Sequence, residues 1–112
     1  MSENLVENIG KTIDRLITVD VGGRGVIQKL YPPALERQGG APLTLQAAKR
    51  LREVVGEGDT VLIATGMLIY PYWELGETDG PLGGAALARA LQIGLDAKPV
   101  LVTDKVLTDM VT

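Results

Sequence analysis

Two aliphatic runs without polar alternation, "VLIAT" at 61–65 and "KPVLVTD" at 98–104, limit the fold more than any other feature of the chain. A strand with one wet face alternates apolar and polar residues, whereas a parallel strand covered on both faces reads as a continuous hydrophobic run. Between them lies "GGAALARALQIG" at 83–94, a helix-forming stretch whose small residues suit close packing on a sheet. Strand, loop, helix, strand is the βαβ unit, so the last third predicts an α/β fold, Rossmann-like, with a short parallel sheet. A further helix is predicted from Lys105 to Thr112.

The first half reads as helical. Ser2 is a candidate cap for a helix in which Leu5, Val6, Ile9, Ile13, Leu16 and Ile17 share one face. Its end is ambiguous, because Ile17, Val19 and Val21 also alternate as a short strand would. "GGRG" at 22–25 stops regular structure, and a helical reading from Gly25 to Gln38 holds until Pro32 and Pro33 break or reshape it. "QGGAP" at 38–42 is a loop. Thr44 is a good N-cap for a helix carrying Leu45, Ala48, Leu51, Arg52 and Val55 on one face, and Gly56 closes it.

At 112 residues the chain is large enough for one modest core. It has no cysteine and no histidine, which excludes disulfides, thiolate nucleophiles, zinc sites of the usual kind and any imidazole base. Proton transfer would fall to carboxylates, lysine, tyrosine or backbone, and a metal would have to be a hard ion on oxygen ligands. A net charge of -3 argues against nucleic acid as a partner. The run from Val61 to Trp73 is interrupted by Thr65, Gly66 and Pro71 and is too short to span a membrane. No basic segment precedes an apolar stretch at the N-terminus, so no secretory signal is read and a cytoplasmic location is expected.

The segment from Gly66 to Leu82 is long for a connection in a compact domain, and it contains "GETDGPLGG" at 76–84. Ligands of open α/β sheets bind beyond the carboxyl ends of strands, where both this segment and "TDK" at 103–105 fall. Glu77, Thr78 and Asp79 are open to two readings: an acidic cap on the following helix, or a site. Arg24 is either a solvated loop residue or a clamp for a carboxylate or phosphate. Asp104 either caps the last helix or reaches a ligand. Tyr70, Tyr72 and Trp73 read as loop anchors rather than a stacking platform. Glu74, Glu77 and Asp79 are oxygen donors of the kind Mg²⁺ uses, but nothing in their spacing makes them converge, and no metal is assigned. "GGRG" has neither the dinucleotide nor the Walker spacing, so no nucleotide is assigned.

"GDTVLIATG", then "ETDGPLGGAALARALQ", then "KPVLVTD" resemble the C-terminal domain of the D-glutamate cyclase family, whose hallmark stretches include a T-G-F-P-like strand end and E-T-D-G-P-P-G. "GGRG" is similar to that family's N-R-G or G-R-G loop. The resemblance covers about Gly22 to Asp104. It departs at Met67 and Leu68, where the family tends to show Phe and Pro, and at Leu82, which replaces the second proline. The family's later glycine-rich stretches have no counterpart here. The resemblance therefore implies that residues 1–112 form a single partial cyclase-like domain, an incomplete one. Self-association, or a second chain carrying the rest, would complete it.

The activity implied is conversion of D-glutamate to 5-oxo-D-proline and water, a lyase reaction on a small amino-acid substrate that needs no cofactor. By the same resemblance Glu77 or Asp79 would act as base and acid, with Thr78 orienting it. Amides of Gly80, Gly83 and Gly84 would hold the oxyanion, and Arg24 would grip the α-carboxylate. Gly25, Gly66 and Asp104 complete the expected substrate-binding set. The alternative is a non-catalytic carboxylate- or phosphate-binding α/β module, or a subunit that completes another chain.

Overall fold

The structure, a computed structural model, describes residues 2–66, 68, 71, 72 and 79–111, except the side chains of Met110 and Val111. It divides into two compact units, Met1–Glu53 and Val54–Thr112.

The first unit is helical. Helix α1 spans Glu3–Ile17, α2 spans Val26–Arg37 and α3 spans Leu43–Val54. Ser2 holds the N-cap position of α1, but its side chain makes no capping bond. Its carbonyl accepts from Leu5 and Val6 N–H instead, at 3.0 and 3.2 Å. Thr18 ends α1 by donating both its N–H and its hydroxyl to the Asp14 carbonyl, so the alternation through Ile17, Val19 and Val21 forms no strand.

Helix α2 runs through Pro32 and Pro33, contrary to the expected break. Proline fixes φ near the helical value. It removes only the amides that would have reached the Gln28 and Lys29 carbonyls, and both of those residues are exposed, so water can serve them.

Thr44 is not the cap of α3 but its second residue. The cap comes from another helix: Asp14 of α1 accepts the amides of Leu43 at 2.7 Å and Thr44 at 3.0 Å. Gly10 permits this approach, since a Cβ there would lie 3.0 Å from the Cβ atoms of both Leu45 and Pro42.

The second unit is βαβ. Strand β1 (Thr60–Ala64) pairs in parallel with β2 (Lys98–Val102), in a register that sets Leu62 opposite Val100 and Ala64 opposite Val102. Helix α4 (Asp79–Leu95) connects them and lays Gly84, Ala88, Leu91 and Leu95 along one stripe, the spacing of a single helix face. Ile63, Leu91, Ala97 and Leu107 form the buried core. Asp96 takes a left-handed conformation at φ 52°, which asparagine and aspartate tolerate better than most residues, and turns the chain into β2 within two residues. A 3₁₀ turn (Lys105–Leu107) and α5 (Thr108–Val111) follow.

The unit is thus a small α/β fragment with a short parallel sheet, as the aliphatic runs imply. Burial on both faces is not what the strands show. Val61, Ile63, Pro99 and Leu101 are half-buried or buried, whereas Leu62, Val100 and Val102 are exposed. No helix among the described residues is long and apolar enough to cross a membrane.

Candidate functional site

The carboxyl ends of β1 and β2 lie side by side. Thr65 follows β1 and Thr103 follows β2, and the Thr65 amide extends the ladder by donating to the Val102 carbonyl at 2.9 Å. The Oγ1 atoms of both threonines are shut off from solvent and have no hydrogen-bond partner. A buried hydroxyl left unmatched costs about 1–3 kcal/mol, so two of them at one place need an explanation.

Glycine borders each hydroxyl. Gly66 has φ +76°, and a Cβ there would stand 2.6 Å from Thr103 Oγ1 and 3.3 Å from Leu107 Cδ1. Gly84, buried in α4, faces the other threonine: its Cβ would meet Thr65 Cβ and Cγ2 at 3.3 Å and Oγ1 at 3.4 Å. Gly66 and Gly84 therefore let the chain leave β1, and α4 approach it, closely enough to enclose the two hydroxyls.

Helix α4 begins at Asp79, which shortens the predicted connection to Leu82 and puts Asp79, Gly80, Pro81 and Leu82 in the first turn. Pro81 is tolerated there because the amide it lacks would have had no intrahelical partner. Asp79 is an exposed first-turn acid, favourably placed at the positive end of the helix dipole. The amides of Asp79, Gly80 and Leu82 have no carbonyl within the helix to bond, whereas those of Gly83 and Gly84 fall in the ladder, opposite Asp79 and Gly80. As a donor of hydrogen bonds to a ligand, Gly80 is better placed than the two glycines after it. Gly84 serves close packing.

Glu77 and Thr78 lie outside the described residues, as do Tyr70, Trp73 and Glu74, so the acidic triplet and its Mg²⁺ reading are represented by Asp79 alone. Tyr72 is exposed. Asp104 holds the N-cap position of the 3₁₀ turn, where its carbonyl accepts from Leu107 at 2.8 Å while its exposed side chain makes no capping bond. The strand ends thus bring together Thr65, Gly66, Gly84 and Thr103, of which the sequence reading had named only the glycines. A hydroxyl residue ending each of two successive aliphatic runs was the available signal.

Arg24 and Gly25 belong to the first unit. Gly25 is left-handed at φ 68° and begins α2, and its amide donates to Asp20 Oδ2 at 2.6 Å. That bond folds the "GGRG" loop and leaves Arg24 exposed at its tip, between Gly23 and Gly25 at positive φ. Asp20, the pin of this loop, is a residue that sequence reasoning missed.

Asp14 was missed as well. It is 1% exposed and accepts four hydrogen bonds: the two α3 amides, the Thr44 hydroxyl and the Tyr31 hydroxyl, the last at 2.8 Å. Burial, the largest single influence, raises its pKa. The bonds from Thr44, Tyr31 and Leu43 together outweigh burial and hold the carboxyl at about 2. A carboxylate so fully matched is a staple between helices rather than a base. A groove of about 540 Å³ on the same unit has Glu3, Glu7 and Lys49 at its rim. All three are exposed, and among the described residues no unmatched buried polar side chain lines the groove.

No curated protein and no solved structure matches the chain. A family model described as D-glutamate cyclase-like, C-terminal, matches residues 13–112, from the last turns of α1 through both strands and α4. By that match, which takes in both units, the chain belongs to the D-glutamate cyclase-like C-terminal family.

Proposed function

We propose that the chain is a D-glutamate cyclase-like lyase that closes D-glutamate to 5-oxo-D-proline and releases water. In this reaction the α-amine nitrogen forms a bond to the γ-carboxyl carbon. One γ-oxygen then leaves, carrying as water the two protons given up by the ammonium. The barrier falls if the open chain is held folded, with nitrogen against carbon. It falls further if a base receives the ammonium proton, donors meet the tetrahedral oxyanion, and an acid protonates the departing oxygen.

The observation that carries the reading is the meeting of β1's carboxyl end with the start of α4. Gly66 leaves the strand at φ +76°, Asp79 opens the helix, and Gly84 seats it against Thr65. A small anionic substrate there would have on one side the amides of Asp79 and Gly80, which have no carbonyl partner within the helix, and the "ETD" carboxylates as proton carriers. Glu77 or Asp79 serves as base and then acid, with Thr78 orienting it. Arg24 stands in the other unit, so its grip on a carboxylate rests on the likeness of its loop to the family's. Gly25 shapes that loop, and Asp104 is assigned to substrate binding on its strand-end position alone.

The purified chain incubated with D-glutamate and followed by proton NMR should form 5-oxo-D-proline. Glu77→Gln or Asp79→Asn should lower the rate by about 10²-fold or more if that residue carries the proton. A folded chain that makes no ring product, at any concentration, sinks the enzyme reading.

One observation favours a second reading. The exposed Leu62, Val100 and Val102 leave one face of a two-stranded sheet uncovered, and parallel sheets are ordinarily covered on both. In that reading the chain works as a carboxylate-binding subunit, with another copy of itself or with a second chain that carries the rest of the domain. Turnover that appears only at high protein concentration, or only on adding such a chain, would mark it.

A further inference from the structure

We infer that Lys105 supplies the positive charge that holds a carboxylate of the substrate at the carboxyl end of the sheet. The inference rests on the proposed cyclase reading and adds to it a cation from the second unit itself.

The charges of this unit are unevenly placed. The segments that follow β1 and β2 carry Glu74, Glu77, Asp79, Asp104 and Asp109, and Lys105 is the one cation among them. D-Glutamate is itself a net anion at neutral pH, and a purely acidic mouth would repel it. The unit's other cationic side chains, Arg89 and Lys98, stand elsewhere. Lys98 pairs with Thr60 at the opposite end of the sheet, about 13 Å along the strand from Val102. Arg89 lies about 15 Å along α4 from Asp79, and its guanidinium donates to Gln92 Oε1 at 3.3 Å.

The backbone at Lys105 is held in place. A Cβ at Gly66 would stand 2.6 Å from Thr103 Oγ1 and 3.3 Å from Leu107 Cδ1, so the stretch from Thr103 to Leu107 lies against the point where the chain leaves β1. Lys105 is its middle residue. Leu107 is buried and its amide donates to the Asp104 carbonyl at 2.8 Å, while the Thr108 hydroxyl donates to the Lys105 carbonyl at 2.9 Å. The Lys105 side chain, by contrast, is exposed and makes no ion pair among the described residues, although Asp104 adjoins it in the chain. It is open to an anion arriving from solvent, and no space between the enclosed threonines is needed.

The chemistry suits a carboxylate. An ammonium has three donors and no acceptor, so it meets carboxylate oxygens and repels the substrate's own ammonium. The "ETD" acids do the reverse. One cation among acids thus sorts the two ends of an amino acid and turns the amine toward the proposed base.

The test uses the full chain with Lys105→Met, Lys105→Glu and Lys105→Arg, and with Lys98→Met as a control that removes the same charge from the other end of the sheet. Glutarate and D-glutamate are titrated by NMR at low and high salt, alongside urea unfolding, and KM and kcat where there is turnover. Lys105→Met should weaken binding of both, or raise KM more than it lowers kcat, by about fivefold, the upper range for an exposed ion pair. Lys105→Glu should weaken it further, and Lys105→Arg should restore most of it. Salt should weaken binding by the parent and have less effect on Lys105→Met. The urea midpoint should not move, because no native bond is lost.

A Lys105→Met chain that binds both ligands as tightly as the parent overturns the inference, even if cyclisation is found. So does an equal loss in Lys98→Met, which would show net charge rather than position at work, and so does a clearly lowered midpoint in Lys105→Met. A parent chain that binds neither ligand overturns it too. Binding that Lys105→Met weakens and arginine restores, in a chain that never closes the ring, supports the cation while removing the enzyme reading.

Discussion

Asp14 and the Thr65–Thr103 pair are both buried polar sites, and they are opposites. The carboxylate in the first unit accepts four hydrogen bonds from three residues. The two hydroxyls in the second unit have none. Burial of a polar group is unfavourable in both places, but only in the first does the fold recover the loss. The difference separates a polar group that organises structure from a pair that the fold leaves unmatched. Asp14 joins α1, α2 and α3 and has no lone pair left for a substrate. The threonines make no hydrogen bond through their hydroxyls that valine would lose.

Asp14 carries the largest expected effect. Replacing it with alanine would strand the Leu43 and Thr44 amides and the hydroxyls of Thr44 and Tyr31 in a buried place, and should cost about 3 kcal/mol of stability in urea unfolding. An unchanged midpoint would show the staple to be ornamental. The same bond set makes a pH prediction. The folded pKa, about 2, lies below the ordinary value of 3.8, so the stabilisation is present above about pH 4 and is lost as pH falls toward 2. The loss should approach about 2 kcal/mol in that window and vanish in Asp14→Asn, which cannot titrate.

Much of this architecture was legible in the sequence. Both strands, the helix between them and the parallel pairing follow from two aliphatic runs separated by an alanine-rich segment. The three helices of the first half were also read, though not their details. The dipeptide Pro32–Pro33 looked like a break because the rule concerns amides, and whether water can reach the two freed carbonyls is settled only by the fold. Thr44 looked like a cap because a local residue of the right type stood there. The real cap, Asp14, is about 30 positions upstream in the chain, and no local pattern reveals a partner so distant. At the site, glycines 66 and 84 were visible as residues but not by their roles. Thr65 and Thr103 were passed over as strand ends, because a hydroxyl reads the same whether or not it will find a partner.

The second unit offers a sharper contrast through Gly66. Alanine there must adopt φ near +76° and brings a methyl group against Thr103 Oγ1 and Leu107 Cδ1. The backbone alone should cost about 1–2 kcal/mol. Adding Thr103→Ala removes the overlap but not the conformational penalty, so the double variant should recover only part of the loss in urea unfolding. Full recovery would mean that the left-handed turn is unimportant and that the threonine alone dictates glycine.

Gly84 gives the smallest effect and the finest discrimination. Inside a helix, alanine is favoured over glycine by about 1 kcal/mol, which would make Gly84→Ala stabilising if nothing stood in the way. Thr65 does stand in the way, at 3.3 Å, and its N–H ties it to β2 by donating to the Val102 carbonyl, so it can retreat only slightly. The two effects should nearly cancel, leaving the urea midpoint within about 0.5 kcal/mol of the parent. A midpoint that rises by the full helix preference would show that Thr65 yields freely to the methyl group, and a fall well beyond that range would show that it cannot yield at all.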